Sequence, residues 1–207
     1  MKIDVRFLIF PRGTPIPADH GFPIYSAISR ILPEWHEMED FGIFPINGIQ
    51  IGNRMMALTE ESRLTIRIEA ERIGEILSLA GKSLGLGSTV IQIGVPTVHP
   101  LIPADSLRCR LATIKGFMEP SEFIGAVRRQ LESLEISPSV LIETGKIRDL
   151  MIHDKRVVGF ELFLHGLNED ESIRVQEKGI GGRRKMGCGL FLPTQHRPHA
   201  NTESVGG

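Results

Sequence analysis

The chain has 207 residues, 41% of them hydrophobic and 24% charged, with 24 Lys and Arg against 25 Asp and Glu for a formal net charge of −1. This is the composition of a soluble globular protein with one domain or two small ones, and the total charge gives no sign of nucleic-acid binding. Divided after Ala104, the chain has nine basic against eleven acidic residues and then fifteen against fourteen, so any anion site must be a local cluster.

The N-terminal "KIDVRFLIF" alternates Ile3, Val5, Phe7 and Ile9 and predicts a strand over about 2–10. It lacks the length and small-residue cleavage site of a signal peptide. A loop with three prolines leads into "HGFPIYSAISRILPEWHE", where Ile24, Ala27, Ile28, Ile31 and Leu32 have helical spacing. Pro23 suits the first turn of that helix and Pro33 ends it. Short strands follow at "FGIFPI" and "IGNRMMALT", and "RLTIRIE" alternates clearly. "AERIGEILSLAGKSLGL" predicts a second helix stopping near Gly81, and "STVIQIGVP" a closing strand. The order is β-α-β-β-α-β with one extra central strand, the ferredoxin-like plan shared with RNA-recognition folds. "AGKS", Ala80 to Ser83, looks like a P-loop ending. Its upstream glycine, Gly74, is too far away and a helix precedes it, so no nucleotide cofactor is expected.

The second half partly repeats the plan. "SLRCRLATIKG" reads as a strand, and "EPSEFIGAVRRQLESLEI" as a helix with Pro120 near its first position and Phe123, Val127, Leu131 and Leu134 on one face. "SVLIETG", "IRDLMIHD" and "RVVGFELFLHGL" read as strands, the last two joined by a tight "DKR" turn. "NEDESIRVQEKG" predicts a short helix, with Asn168 and Glu171 as a capping box and Gly179 as its stop. "GCGLFLP" would be the last strand. The expected fold is therefore α+β, two tandem ferredoxin-like (RRM-like) modules over 1–98 and 99–194, with "VPTVHPLIPAD" as linker and 195–207 as a disordered tail. No run of about 18 apolar residues predicts a membrane span. Cys109 and Cys188 form neither a metal pair nor a disulfide framework, which fits a reducing cytoplasm.

The densest chemistry lies in "GIGGRRKMGCGLFLP", Gly179 to Pro193. Glycines let backbone N–H groups approach an anion, and Arg183, Arg184 and Lys185 would neutralise phosphates. The alternative is a flexible hairpin with a solvated basic tip.

This stretch resembles the C-terminal glycine-rich motif of the CRISPR-associated repeat-processing endoribonucleases, members of the RAMP superfamily with tandem ferredoxin-like folds. "IPADHGFPIYSAISRILPEWHE", "GIFPINGI", "LATIKGFMEPSEFIGAVRRQL" and "VVGFELFLHGLNEDESIRVQEKGIGGRRKMGCGLFLP" are similar to the small variant associated with MYXAN-type CRISPR systems. The resemblance implies a metal-independent enzyme without cofactor that binds CRISPR repeat RNA and cuts it once per repeat. The ribose 2′-OH attacks the scissile phosphate, leaving a 2′,3′-cyclic phosphate and a 5′-OH. Implied partners are the crRNA hairpin and other subunits of a Cascade-like effector complex.

Such a reaction needs a proton acceptor, a proton donor and positive charge near the phosphorane, and histidine suits proton transfer. Of seven histidines, the resemblance selects His36, in "PEWHE", as general acid/base, with Tyr25 orienting the ribose or donating a proton. His20 is the rival or partner. A helix of about 12 residues spans about 18 Å, so both histidines reach one atom only if the flanking loops fold back. Without the resemblance, His36 reads as a surface residue at a helix end and Tyr25 as a half-buried packing residue. His99, His153 and His165 read as structural or solvated, and His196 and His199 fall in the expected tail. Some relatives carry a lysine just after the His-Glu pair. Here "HEMEDFGIF" has acids, so the cation must come from elsewhere, with Lys115, Arg183 and Arg184 as candidates. The RNA-binding set comprises Gly179, Gly181, Gly182, Arg183, Arg184, Lys185, Gly187 and Gly189 in the loop, Arg108, Arg110 and Lys115 on or after a strand, and Arg128 and Arg129 in mid-helix. No histidine pair has metal-ligand spacing with carboxylates or cysteines, so no metal site is expected. A catalytically inactive repeat-binding subunit shares most of these features. An unrelated metabolite- or protein-binding ferredoxin-like domain would leave the basic glycine cluster without a use.

Overall fold

The computed structural model describes residues 1–152 and 155–195. His153, Asp154 of the expected "DKR" turn, and the tail from 196 onward with His196 and His199 lie outside them, whereas Lys155 and Arg156 of that turn are described, at the start of a strand. β1 (Lys2–Phe10) buries Ile3, Val5, Phe7 and Ile9, as the alternation requires. β2 (Pro15–Pro17) precedes α1 (Gly21–Ile31), which buries Ile24, Tyr25, Ala27 and Ile28. A 3-10 turn, Pro33–His36, follows directly. Then come β3 (Gly42–Ile43), β4 (Ile49–Gly52), β5 (Met55–Ala57), β6 (Arg63–Glu69), α2 (Ile73–Leu77), β7 (Ser83–Leu86) and β8 (Thr89–Pro100). The second half holds β9 (Ser106–Ala112), α3 (Pro120–Ser133), β10 (Leu141–Ile152), β11 (Lys155–His165), α4 (Glu169–Lys178) and β12 (Phe191–Pro193).

The five-stranded sheet has the order β3-β6-β1-β8-β7 and the four-stranded sheet β10-β11-β9-β12. Without β7, both follow one plan: the first strand of each unit lies between its third and fourth, and the second lies outside the third. All pairings are antiparallel, as in a ferredoxin-like unit. Each sheet has its own core. Val5, Phe7, Ile24, Ile28 and Leu64 belong to the first, and Phe123, Val127, Leu131, Phe160 and Phe191 to the second.

The second helix is shorter than its sequence predicts. Gly81, at φ +79°, turns the chain out of α2, and Ser83–Leu86 pairs with Thr89–Gln92 as a hairpin. "IGNRMMALT" is likewise a hairpin, turned at Asn53 and Arg54 with φ of 48° and 53°. β8 runs to Pro100, so the proline-rich expected linker begins inside a strand. β10 is one strand across both expected ones, with its pairing irregular between Thr144 and Ile147. The capping box of α4 is present: Glu171 N donates to Asn168 Oδ1 and Asn168 N to Glu171 Oε2, each at 2.9 Å.

Candidate functional site

Local sequence places His36 beside Tyr25. Pro33 starts the 3-10 turn, and Trp35 is fully buried, 4.4 Å from Phe41 between ring centroids, with its Nε1–H donated to Glu75. His36 is thereby held at the surface, folded back over α1. The Tyr25 hydroxyl lies 3.2 Å from His36 Nδ1 and 3.4 Å from the His36 carbonyl oxygen, and the rings stack at 6.1 Å. The Tyr25 ring is buried while His36 is exposed, at the end of an open groove of about 480 Å³ along α1, lined by Phe22, Ser26, Ser29 and Arg30 among others.

A cation from the other end of the chain joins this pair. Lys185 Nζ donates to the His36 carbonyl at 3.0 Å and lies 5.5 Å from the centres of both the Tyr25 and Phe41 rings. It comes from the 3-10 turn Arg184–Met186 in the glycine-rich loop. The structure therefore brings Tyr25, His36 and Lys185 to one place. The expected sources of a cation, Arg183, Arg184 and Lys115, are held differently. Arg183 Nη1 is 3.5 Å from Thr113 Oγ1, Arg184 Nη1 donates to Gly181 O at 3.3 Å, and Lys115 is exposed in the turn after β9.

The glycines do something other than expected. Their N–H groups are used inside the protein. Gly179 donates to Val175 O, Gly181 to Gln130 Oε1 at 2.7 Å, Gly182 to Thr113 O at 3.0 Å, Gly187 to Arg184 O and Gly189 to Leu111 O at 2.8 Å. The assignment of Gly179, Gly181, Gly182, Gly187 and Gly189 to phosphate cradling is corrected accordingly: their donors are spent. At Gly181 and Gly189 the need for glycine is steric. Both have positive φ, and a Cβ would overlap the carbonyl oxygens of Thr113 and Ile180. The loop is a packed wedge that carries Arg183, Arg184 and Lys185.

The proposed rivalry of His20 with His36 also fails on geometry. His20 is 1% exposed, its Nδ1 is 2.8 Å from Pro17 O, and Ile46 N–H donates to its Nε2 at 2.9 Å. With both nitrogens engaged by backbone, it is the neutral tautomer tying two loops together, and burial pushes its pKa below the ordinary value.

A family model described as "Cas6 Crispr" matches residues 3–196. The CRISPR-associated endonuclease Cas6 of Myxococcus xanthus is 40% identical over 187 residues, which is 90% of this chain and 80% of that protein.

The chain belongs to the Cas6 family.

Solved structures agree on the fold. A structure titled "Characterization of a Cas6-related gene from Pyrococcus furiosus" superposes with a TM-score of 0.69 at 15% identity, covering 95% of this chain and all of that one. Another, "An RAMP protein binding different RNA substrates", gives 0.66 at 15% identity, covering 92% and 98%.

Other charged residues of this Cas6 chain divide between structure and surface. A cleft of about 520 Å³ between the sheets is lined by Arg6, Arg63, Arg108 and Arg110, with Phe44 and Leu190 among its apolar residues and Glu61 as its one acid among the described residues. Arg108 pairs with Glu161, whose carboxyl is pushed up by burial but brought below its usual range by Arg108, the Lys146 N–H and Arg148. The Arg110 side chain makes no hydrogen bond among the described residues. Its pKa is lowered, first by desolvation and then by Arg148 and Arg108. Arg6 and Arg63 went unnoticed in the sequence because only the meeting of β1 and β6 with β9 gives them a common cleft. Arg128 is half-buried on α3, and its Nη2 donates to Val140 O at 2.8 Å. Arg129 is exposed on α3, over the Phe117 ring at 5.4 Å. Among the described residues, no group of three or more His, Cys, Asp and Glu is arranged to hold a metal ion.

Proposed function

We propose that this Cas6-family chain is a metal-independent endoribonuclease that cuts CRISPR repeat RNA, with His36 as general base, Tyr25 as its orienting partner and Lys185 as the cation at the phosphate. The observation that carries the reading is the arrival of Lys185 on the Tyr25–His36 pair from 149 residues away. Tyr25 O–H donates to the His36 carbonyl and accepts Nδ1–H, which leaves a lone pair on the exposed Nε2. Nε2 takes the proton of the ribose 2′-OH. The 2′-oxygen bonds to phosphorus, the bond to the 5′-oxygen breaks, and that oxygen takes a proton from solvent. The products are a 2′,3′-cyclic phosphate and a 5′-OH. The Lys185 ammonium stabilises charge on the non-bridging oxygens. Arg183 and the arginine-lined cleft hold the RNA backbone by charge and shape. The product hairpin remains bound and joins an effector complex with the protein.

The test is single-turnover cleavage, in EDTA, of the repeat RNA from the source genome. One cut is expected, abolished by a 2′-deoxy sugar at the cut site and by His36→Ala, while RNA binding persists. Tight binding without cutting by the wild-type protein would leave a repeat-binding subunit instead. No binding at low salt would remove the RNA reading altogether.

A further inference from the structure

Arg67 is 1% exposed, yet it is charged and lies far in sequence from the proposed site. It projects from β6 opposite Asp4 on β1, its register partner. Nε and Nη2 donate to the two Asp4 oxygens at 2.7 and 2.9 Å, a bidentate pair. Nη1 donates to two carbonyls of the other unit, Gln176 O and Phe191 O, both at 2.9 Å. The guanidinium also lies 4.8 Å from the centre of the Phe44 ring.

Those two carbonyls flank the glycine-rich loop. Gln176 is in the last turn of α4, where helix carbonyls lack partners within the helix, and Phe191 opens β12. One nitrogen of the first unit thus clasps both stems of the loop that belongs to the second. Lys2 reinforces the α4 stem, donating Nζ to Glu177 O at 2.9 Å and its backbone N–H to Glu177 Oε1 at 2.8 Å. Farther along the loop, Gly187 packs so closely on Pro45 that a Cβ would lie 2.7 Å from its ring. Lys185 reaches His36 only if the loop lies against the first unit in this register.

We propose that Arg67, oriented by Asp4, is a positioning residue for the cleavage site: it fixes the stems of the loop and through them places Lys185 on His36. This rests on the nuclease reading for its effect on rate, but not for its effect on the loop. Lysine cannot replace the arginine, because a point ammonium lacks the planar fork that serves a carboxylate on one side and two carbonyls on the other.

Two variants test it: Arg67→Lys, and Asp4→Leu with Arg67→Met, which removes the buried pair together and leaves no orphan charge. The first measurement is hydrogen exchange on the full chain without RNA. In the double variant, amides of 179–189 should exchange about tenfold faster or more, while α1 and β1 keep their protection. Unchanged loop protection, or uniform loss across the chain, overturns the clasp, whether or not the protein cuts RNA. The second measurement is single-turnover cleavage at saturating protein. Both variants should cut about tenfold slower or more, with repeat-RNA Kd within about threefold of wild type. Adding Lys185→Ala to the double variant should cost no more than about a further threefold, because the two changes remove one arrangement. Losses that multiply, or cutting at the wild-type rate, overturn the positioning role. Failure of the wild-type protein to cut would sink the nuclease reading, and exchange would still decide the clasp.

Discussion

Gly181→Ala separates the two roles a glycine in a basic loop can have. Gly181 sits at φ +78°, and an added Cβ would overlap the Thr113 carbonyl oxygen, 3.1 Å from its carbon and 3.4 Å from Ile114 Cγ1. The left-handed backbone costs an ordinary residue about 1–2 kcal/mol. Overpacking against backbone that is itself hydrogen-bonded to Gly182 adds about 1–3 kcal/mol. The sum, about 2–5 kcal/mol, lowers Tm by about 5–15 °C for a chain of this size. Gly182→Ala is the internal control. It has nothing within 4 Å and no positive φ, so its effect should stay within about 0.5 kcal/mol. Both alanines keep the N–H group. Differential scanning calorimetry of the pair, with repeat-RNA affinity measured alongside, decides between packing and phosphate cradling. Equal stability of the two variants, with RNA affinity lost only in Gly181→Ala, would refute the wedge.

The proposed roles make further predictions. His36→Ala should slow single-turnover cleavage about 10²–10⁴-fold without weakening RNA binding. Tyr25→Phe should cost less, because it removes the hydroxyl that orients Nδ1 but leaves Nε2 in place. His20→Ala should leave the cleavage chemistry alone and destabilise the fold by about 1–3 kcal/mol, since the buried Ile46 N–H loses its acceptor. Because burial holds the His20 pKa below its ordinary 6.5, the unfolded chain binds its proton first. The neutral ring's contribution is complete above about pH 6.5 and is lost as pH falls towards the folded value, so His20→Ala should flatten that part of the stability profile in chemical denaturation. Cys109 and Cys188 are buried, and burial pushes their thiols up to about 12 and about 11. Neither should react with iodoacetamide at pH 8 until the protein is unfolded, and early labelling of the native chain would contradict their placement.

The elements that fold by local pattern were legible in the sequence. Ile3, Val5, Phe7 and Ile9 alternate because one face of β1 is core, and Asn168 with Glu171 marks the start of α4 because both side chains satisfy donors within three residues. Tyr25 and His36 were singled out by the resemblance and not by spacing; their contact arises because the helix and the turn after it return the chain on itself within 11 residues. The second helix was legible but not its length: it covers only Ile73–Leu77, and the chain after Gly81 pairs as a hairpin with a strand beyond Gly87. His20 misled because a histidine's surroundings decide its chemistry, and its partners are Pro17, at the end of β2, and Ile46, in the loop after β3.

Lys185 is the instructive case. Its neighbours in sequence made it one of three cations in a loop, and nothing local distinguishes it from Arg183 or Arg184. The signal lay instead at the other end of the chain, where "HEMEDFGIF" supplies acids in place of a lysine after His36. In the proposed reaction, the Tyr25–His36 pair has no cation next to it in sequence, and the glycine-rich loop brings Lys185 to it from 149 residues away. That fixes the purpose of the glycines. Gly181 and Gly189 let the loop lie flush on Thr113 and Ile180, and the loop then presents three cations in three directions. A looser loop with the same charges would still attract RNA, since screened attraction depends little on placement. It would not hold an ammonium 3.0 Å from the His36 carbonyl. Binding should therefore tolerate changes to the glycines that cleavage does not, and the ratio of the two losses in Gly187→Ala, where the strain falls against Pro45, measures how much of the site is geometry and how much is charge.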